Sequence, residues 1–216
     1  TVRRQRQMCI RDSINTDQYN IEKSLGKYGF SSEQITDVIC THMHFDHIGG
    51  NTKIKFGEVV PTFPNAKYWI SEENWNLANH PSQKDAGSFI EHDWKVLAEN
   101  QMIEIINGKE PFIEGIETIV TRGHTPGLLH PVVSDGSNKL FYGADIFPMV
   151  AHIPIPWVMA YDVQPVVTME EKQKLLQKME REDWILFFEH DPHIQACTVH
   201  KDGKHYKLNK RIEISD

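Results

Sequence analysis

Apolar residues recur along this chain in short runs set between polar turns, and the period of each run predicts an element. Residues 37–41, Asp-Val-Ile-Cys-Thr, are a β-branched run predicted as a buried strand. Further strand-like runs fall at 102–106, 115–121, 128–134 and 139–142, with Asp135-Gly136 marking a hairpin turn between the last two. Residues 185–188 predict another buried strand. Two short strands at 196–200 and 205–208, joined at Asp202-Gly203, close the chain. A helical period runs over 82–98, where Ile90, Trp94 and Leu97 share one stripe, and over 168–181, where Leu175, Leu176 and Met179 face inward. Ser31-Ser32-Glu33-Gln34 and Thr168-Met169-Glu170-Glu171 both match a capping box, and Ser71-Glu72-Glu73 opens one more helix. The longest apolar stretch, 146–163, is interrupted by Pro148, Pro154 and Pro156 and carries His152 and Asp162. That composition excludes a membrane-spanning helix and predicts a loop.

The 216 residues suffice for one domain with a sizeable core, and 39% hydrophobic with 25% charged residues is ordinary for a soluble globular chain. The net charge of −7, without any Lys/Arg run, speaks against a nucleic-acid partner and leaves a small-molecule substrate, with a homodimer allowed. Cys9, Cys40 and Cys197 are too few and too scattered for a disulfide framework or a thiolate zinc site, and a cytoplasmic location is expected. Residues 1–13, TVRRQRQMCIRDS, show no helical or strand period and resemble translated sequencing-adapter read-through of the kind found in metagenomic fragments. The native domain is therefore expected to span 14–216. Removing the four arginines and one aspartate of the first thirteen residues takes its net charge from −7 to −10.

Candidate chemistry is concentrated in one run, His42-Met43-His44-Phe45-Asp46-His47, and in His124, Asp145 and His190. Each lies just beyond a predicted strand, so several strand ends would aim side chains at one sheet edge. In an extended segment His42, His44 and Asp46 face one way and His47 turns to a neighbouring spot. Imidazole suits zinc, iron and similar metals, carboxylate adds a hard anionic ligand, and one aspartate can give an oxygen to each of two metals.

His-x-His-x-Asp-His, followed by Gly123-His124-Thr125-Pro126-Gly127 and Gly143-Ala144-Asp145, resembles the metallo-β-lactamase fold superfamily over most of the chain, from about residue 37 to 190. That resemblance implies an α+β fold, a four-layer αβ/βα sandwich with the site at one edge. It implies that His42, His44 and His124 hold one metal, Asp46, His47 and His190 hold a second, and Asp145 bridges them. Asp191 is the alternative ligand to His190. The cofactors are then two divalent ions, zinc first, with iron or manganese as alternatives. Members of the family usually carry more chain before the first motif, so an N-terminal truncation is expected, with one or two early strands missing. Leu128 stands where many members have a histidine.

Two divalent ions set against Asp46, Asp145 and one hydroxide leave about one positive charge, suited to a substrate oxygen that becomes anionic. A bridging water acidified toward a pKa near 7 would attack a carbonyl or phosphorus centre, with Asp46 taking up the proton. Within the superfamily, β-lactamases lack a bridging aspartate at this position. Flavodiiron oxidoreductases resemble His-x-Glu where His44 stands, and nucleic-acid-processing branches carry extra domains and basic surfaces. The resemblance therefore implies a binuclear hydrolase of a small ester, lactone or phosphotriester. The alternatives are a glyoxalase II-type thioesterase, whose usual basic residues for a glutathione carboxylate are not evident here, and a mononuclear iron persulfide dioxygenase. In the lactonase and phosphotriesterase branch the stretch after Asp145 borders the substrate. Phe147, Met149, His152, Trp157 and Met159 are accordingly candidates for substrate contact and Tyr161 for a hydrogen bond to the substrate carbonyl.

Overall fold

The computed structural model describes residues 20–107 and 113–214, so the N-terminal arm read as non-native lies outside the described residues. In chain order the elements are α1 (Ile21–Lys27), β1 (Asp37–Ile39), α2 (Phe45–Ile48), β2 (Thr52–Lys55), β3 (Glu58–Pro61), β4 (Lys67–Ser71), α3 (Glu72–Asn79), α4 (Lys95–Glu99) and β5 (Ile103–Ile106). They continue with β6 (Ile116–Thr121), β7 (Leu128–Ser134), β8 (Lys139–Tyr142), α5 (Pro165–Glu182), β9 (Ile185–Phe187), β10 (Ala196–Asp202) and β11 (His205–Ile212).

Two sheets carry the fold. The first is parallel, in the order β1-β4-β5, and the second has six strands in the order β11-β10-β9-β8-β7-β6. Tyr68, Ile70, Leu97, Trp94 and Ile48 build one core on the first sheet, with Leu25 of α1 and Trp75 of α3 against it. Phe141, Leu186, Leu175, Leu176, Met179 and Trp184 build the other, between the second sheet and α5. Helices thus cover both sheets, the layering expected of the αβ/βα sandwich. The sheets touch where the Leu129 N–H donates to the Thr41 carbonyl at 2.8 Å.

All eight predicted strands form, two at the predicted bounds (β7 and β8). Three others, β2, β3 and β4, were not predicted. The helix predicted over 82–98 does not form: two 3₁₀ turns, Ala86–Ser88 and Glu91–Asp93, precede the five-residue α4. Local chemistry competes with helix there. The Ser82 hydroxyl donates to Asp85 and accepts from the Lys84 N–H, and Gly87 adds about 1 kcal/mol against helix. Phe89 and Ile90 are extended, which brings the Phe89 ring to 5.1 Å from His44.

Helix α5 starts earlier than its predicted cap. Gln164 is the N-cap and Pro165 takes the first turn, where its missing N–H costs nothing. Thr168 lies inside the helix and its hydroxyl donates back to the Gln164 carbonyl. Glu171 does not serve a capping box. Its carboxylate accepts the backbone N–H groups of Arg122 at 2.8 Å and Gly123 at 2.9 Å, fastening the loop before His124 to the helix. The next residue, Lys172, is fully buried. Its ammonium donates to the carbonyls of Pro154 (2.9 Å), Ile155 (3.3 Å) and Trp157 (2.7 Å) and so ties the proline-rich loop down.

His130 on β7 is also fully buried, 2.8 Å from Thr121 Oγ1 and 3.1 Å from the Tyr142 carbonyl, with its ring stacked on Phe141. Burial pushes this imidazole down to about 4, while an unfolded histidine titrates near 6.5. Its contribution is present above about 6.5 and is lost as pH falls toward 4, because the unfolded chain then binds the extra proton. We expect denaturant melts of wild type to lose up to about 1.4 kcal/mol per pH unit from this group across that window. His130→Gln should flatten the slope by that amount, and equal slopes would exclude His130 as its source.

Candidate metal centre

The first motif leaves β1 as extended chain. His42 and His44 therefore follow the predicted alternation, both buried, with Met43 turned into the core between them. The alternation stops there, because Phe45–Ile48 turns into the helix α2 with His44 as its N-cap. Asp46 and His47 consequently leave the His42/His44 direction. Asp46, predicted to point with them, has a side chain 44% exposed and lies 3.5 Å from His47 Nε2.

The other ligand candidates arrive from the six-stranded sheet. Strands β8 and β9 pair in parallel with Tyr142 opposite Phe187, and each chain then leads from that edge into the site, to Asp145 and to His190. His124 follows β6, in a loop held by the Glu171 contacts and by donation of the Val163 N–H to the His124 carbonyl at 2.9 Å. Gly127 in the same loop has φ +79°, and a Cβ there would stand 2.4 Å from Ser71 Oγ, so only glycine fits.

Asn74, fully buried on α3, ties the two histidine loops together. Its Oδ1 accepts the Met43 N–H at 2.7 Å, and its Nδ2 donates to Thr125 Oγ1 (3.2 Å) and the Pro126 carbonyl (2.9 Å). Asn74→Ala should cost about 1–3 kcal/mol, since the Met43 N–H is left buried without its acceptor. Metal affinity should fall with it as His42 and His44 lose register with His124. A calorimetric melt with and without zinc checks both, and an unchanged gain in melting temperature on adding zinc would count against the coupling.

Four of the candidate histidines face Asp145. Its Oδ2 lies 3.1 Å from His124 Nε2, 3.4 Å from His47 Nε2 and 3.8 Å from His42 Nε2, and its Oδ1 is 3.1 Å from His190 Nε2. His44 Nδ1 is 3.3 Å from His124 Nε2. Two donor sets result, each with its ligand atoms within 4.8 Å of one another: His42, His44, His124 and Asp145, and His47, Asp145, Glu189 and His190. Asp145 belongs to both. His42 Nε2, His44 Nε2, His47 Nε2 and Asp145 Oδ1 are buried and make no hydrogen bond among the described residues. Buried polar atoms left in this way are costly unless something binds them. Imidazole nitrogens and carboxylate oxygens at such spacing suit a divalent metal.

At His42 and His44 the protonation pattern agrees. Burial, with His47, His44 and His124 around it, holds His42 well below the usual imidazole range, and burial beside His124 takes His44 down to about 3. His42 and His44 thus offer neutral imidazole, the form that binds metal. Burial would lower His47 too, but Asp145 and Glu189 beside it raise it to about 10, and the same two carboxylates raise His190 to about 10. Burial would raise Asp145, yet His190 and His47 hold it below the usual carboxylate range.

Outside the two sets, Asp162 Oδ1 lies 2.9 Å from His124 Nδ1, and Thr41 Oγ1 lies 3.2 Å from His42 Nδ1. Such partners fix a ligand ring and its tautomer. Neither Asp162 nor Glu189 was singled out from sequence. The available signals were an aspartate in an otherwise apolar loop and a glutamate directly before His190. Asp191, the alternative to His190, accepts the Val150, His193 and Ile194 N–H groups and acts as a turn residue.

The cleft beside the centre has a volume of about 540 Å³ and is bounded by Ile39, Thr41, Pro131 and Tyr142 together with Asp46, His47, Glu189 and His190. The residues expected to form an apolar wall after Asp145 are not part of this lining. Phe147 is fully buried in the core with its ring near Phe141. Met149, His152 and Met159 are half-buried, while Trp157 is 63% and Tyr161 76% exposed. Among the described residues no helix is long and apolar enough to cross a membrane.

Known proteins resemble this chain. The N-acyl homoserine lactonase AiiA of Bacillus thuringiensis subsp. kurstaki is 24% identical over 188 residues, covering 85% of this chain and 67% of the relative. The dizinc quorum-quenching lactonase AidC, solved with a homoserine product, superposes with a TM-score of 0.77 at 24% identity, over 90% of this chain and 70% of that one. A probable metal-dependent hydrolase from Staphylococcus aureus gives the same TM-score and identity over 89% of this chain and 69% of its own. The family profile of the metallo-beta-lactamase superfamily matches residues 12–190, and the chain belongs to that superfamily.

Proposed function

We propose that this metal-dependent hydrolase opens small lactones, N-acyl homoserine lactones first among them, at a centre of two divalent ions, most simply zinc. In this reading His42, His44 and His124 hold one ion, His47 and His190 with Asp46 the other, and Asp145 joins them. The observation that carries it is Asp145, a buried carboxylate within 3.1–3.8 Å of four imidazoles from three separate segments. Divalent ions held there would acidify water toward a pKa near 7 and polarise the lactone carbonyl. The remaining work belongs to side chains. Asp162 and Thr41 hold the rings of His124 and His42 in orientation. Asp46, exposed at the mouth beside His47, is placed to take the proton of the attacking water. It returns that proton to the ring oxygen when the C–O bond breaks, so that the products are an alcohol and a carboxylic acid, which releases its remaining proton to solvent. The names of the relatives support the lactone, and two donor sets sharing one aspartate favour two ions over a single iron.

The test is a hydrolysis panel on metal-loaded protein containing homoserine lactones, an aryl ester, a phosphotriester, a cephalosporin and a glutathione thioester. Lactones should give the largest kcat/KM. A faster thioester would move the assignment to the glyoxalase type, and metal-loaded protein that hydrolyses none of them would reject it.

A further inference from the structure

The centre holds a carboxylate that the ligand pattern of the first motif leaves out. Glu189 follows β9, directly before His190, and its Oε1 lies 2.5 Å from His47 Nδ1 and 3.4 Å from His190 Nε2. The Glu189 side chain is only 13% exposed, against 44% for Asp46. Its Oε1 is buried and engages no aligned hydrogen bond among the described residues. It also falls in the second donor set, with His47, Asp145 and His190, from which Asp46 is absent. A buried carboxylate 3.4 Å from the same His190 nitrogen that faces Asp145 at 3.1 Å belongs to the environment of a cation site.

We propose that Glu189 is an acidic member of the second cation position and contributes more to holding that ion than Asp46 does. The inference rests on the metal-centre reading above and deepens it. It also changes the charge of the centre: a third carboxylate cancels the positive charge left by two divalent ions, Asp46, Asp145 and a hydroxide. A neutral lactone is indifferent to that change, whereas a substrate bearing its own carboxylate loses the attraction of a positive centre.

The experiment is a chelator-competition titration of the metal-free full chain with zinc, repeated with cobalt so that the visible spectrum reports each equivalent. Wild type should take up two equivalents. Glu189→Gln should bind the first as wild type does and the second about 10–100-fold more weakly, with only the second cobalt spectrum altered, and Asp46→Asn should lose less. A Glu189→Gln chain that binds the second equivalent with wild-type affinity and spectrum overturns the inference while leaving the metal centre standing. Wild type that binds one equivalent or none rejects the two-ion reading and this inference together. Metal-free melting curves establish that each variant is folded. Should Glu189→Gln fail that control, Glu189→Asp, one methylene short of His47, decides in the same way.

Discussion

Asp145→Asn should leave the protein with less than one metal ion per chain and lower lactone hydrolysis by at least about 10²–10³-fold, the effect of removing one preorganised charged group from an active site. Asparagine keeps the volume and one oxygen but not the charge, and Asp145 is the residue common to both donor sets. Without it, five histidine rings 3.9–5.2 Å apart between neighbouring centroids lose the one anion they share. Elemental analysis of the purified variant and a lactone assay measure the two effects. If two ions per chain survive the substitution, Asp145 is not the bridge. Zinc added in excess should not restore activity, because the loss lies in charge at the reacting centre as well as in affinity.

Lys172→Met should lower stability by about 2–4 kcal/mol, which for a chain of this size means a fall in melting temperature of roughly 5–12 °C. Methionine fills the space with similar volume, so cavity formation is a small part of the effect. The cost comes from the carbonyls of Pro154, Ile155 and Trp157, which lose a shared donor in the interior. Opposing this, the ammonium itself is unfavourably buried, and burial lowers it to about 8. The three carbonyl contacts outweigh that penalty only if the loop stays docked. Melting by circular dichroism separates the two views: a variant as stable as wild type would mean that desolvation of the ammonium had cancelled its hydrogen bonds.

What could be read from sequence divides along physical lines. His42, His44, His47, His124, Asp145 and His190 were legible because each lies in a short motif just after a strand, and strand ends place residues reproducibly. The direction of Asp46 was not legible, since a rule of alternation cannot foresee that Phe45 starts a helix. Glu189 and Asp162 escaped because their roles depend on partners 142 and 38 positions away, His47 and His124 respectively. The loop after Asp145 divides in another way. Phe147 and Trp157 look alike in sequence, yet one is fully buried in the core and the other stands in solvent. Packing decided between them, and packing is collective. The missing helix at 82–98 has a local origin: Trp94 and Leu97 are buried as the stripe required, but the Ser82 hydrogen bonds and Gly87 compete with helix, and the chain is extended at Phe89.

Because Tyr142 and Phe187 stand opposite each other in parallel strands, Asp145 and His190 each lie three steps downstream of a common rung. Their spacing is therefore counted from the ladder and not from the loops. Deleting a single residue between Phe187 and His190 would carry that imidazole off the shared aspartate, whatever replaced the lost side chain. Beyond His190 the count no longer matters to the centre. Length variation in laboratory evolution should accumulate in the turn before β10 and stay out of the two short segments that follow the rung.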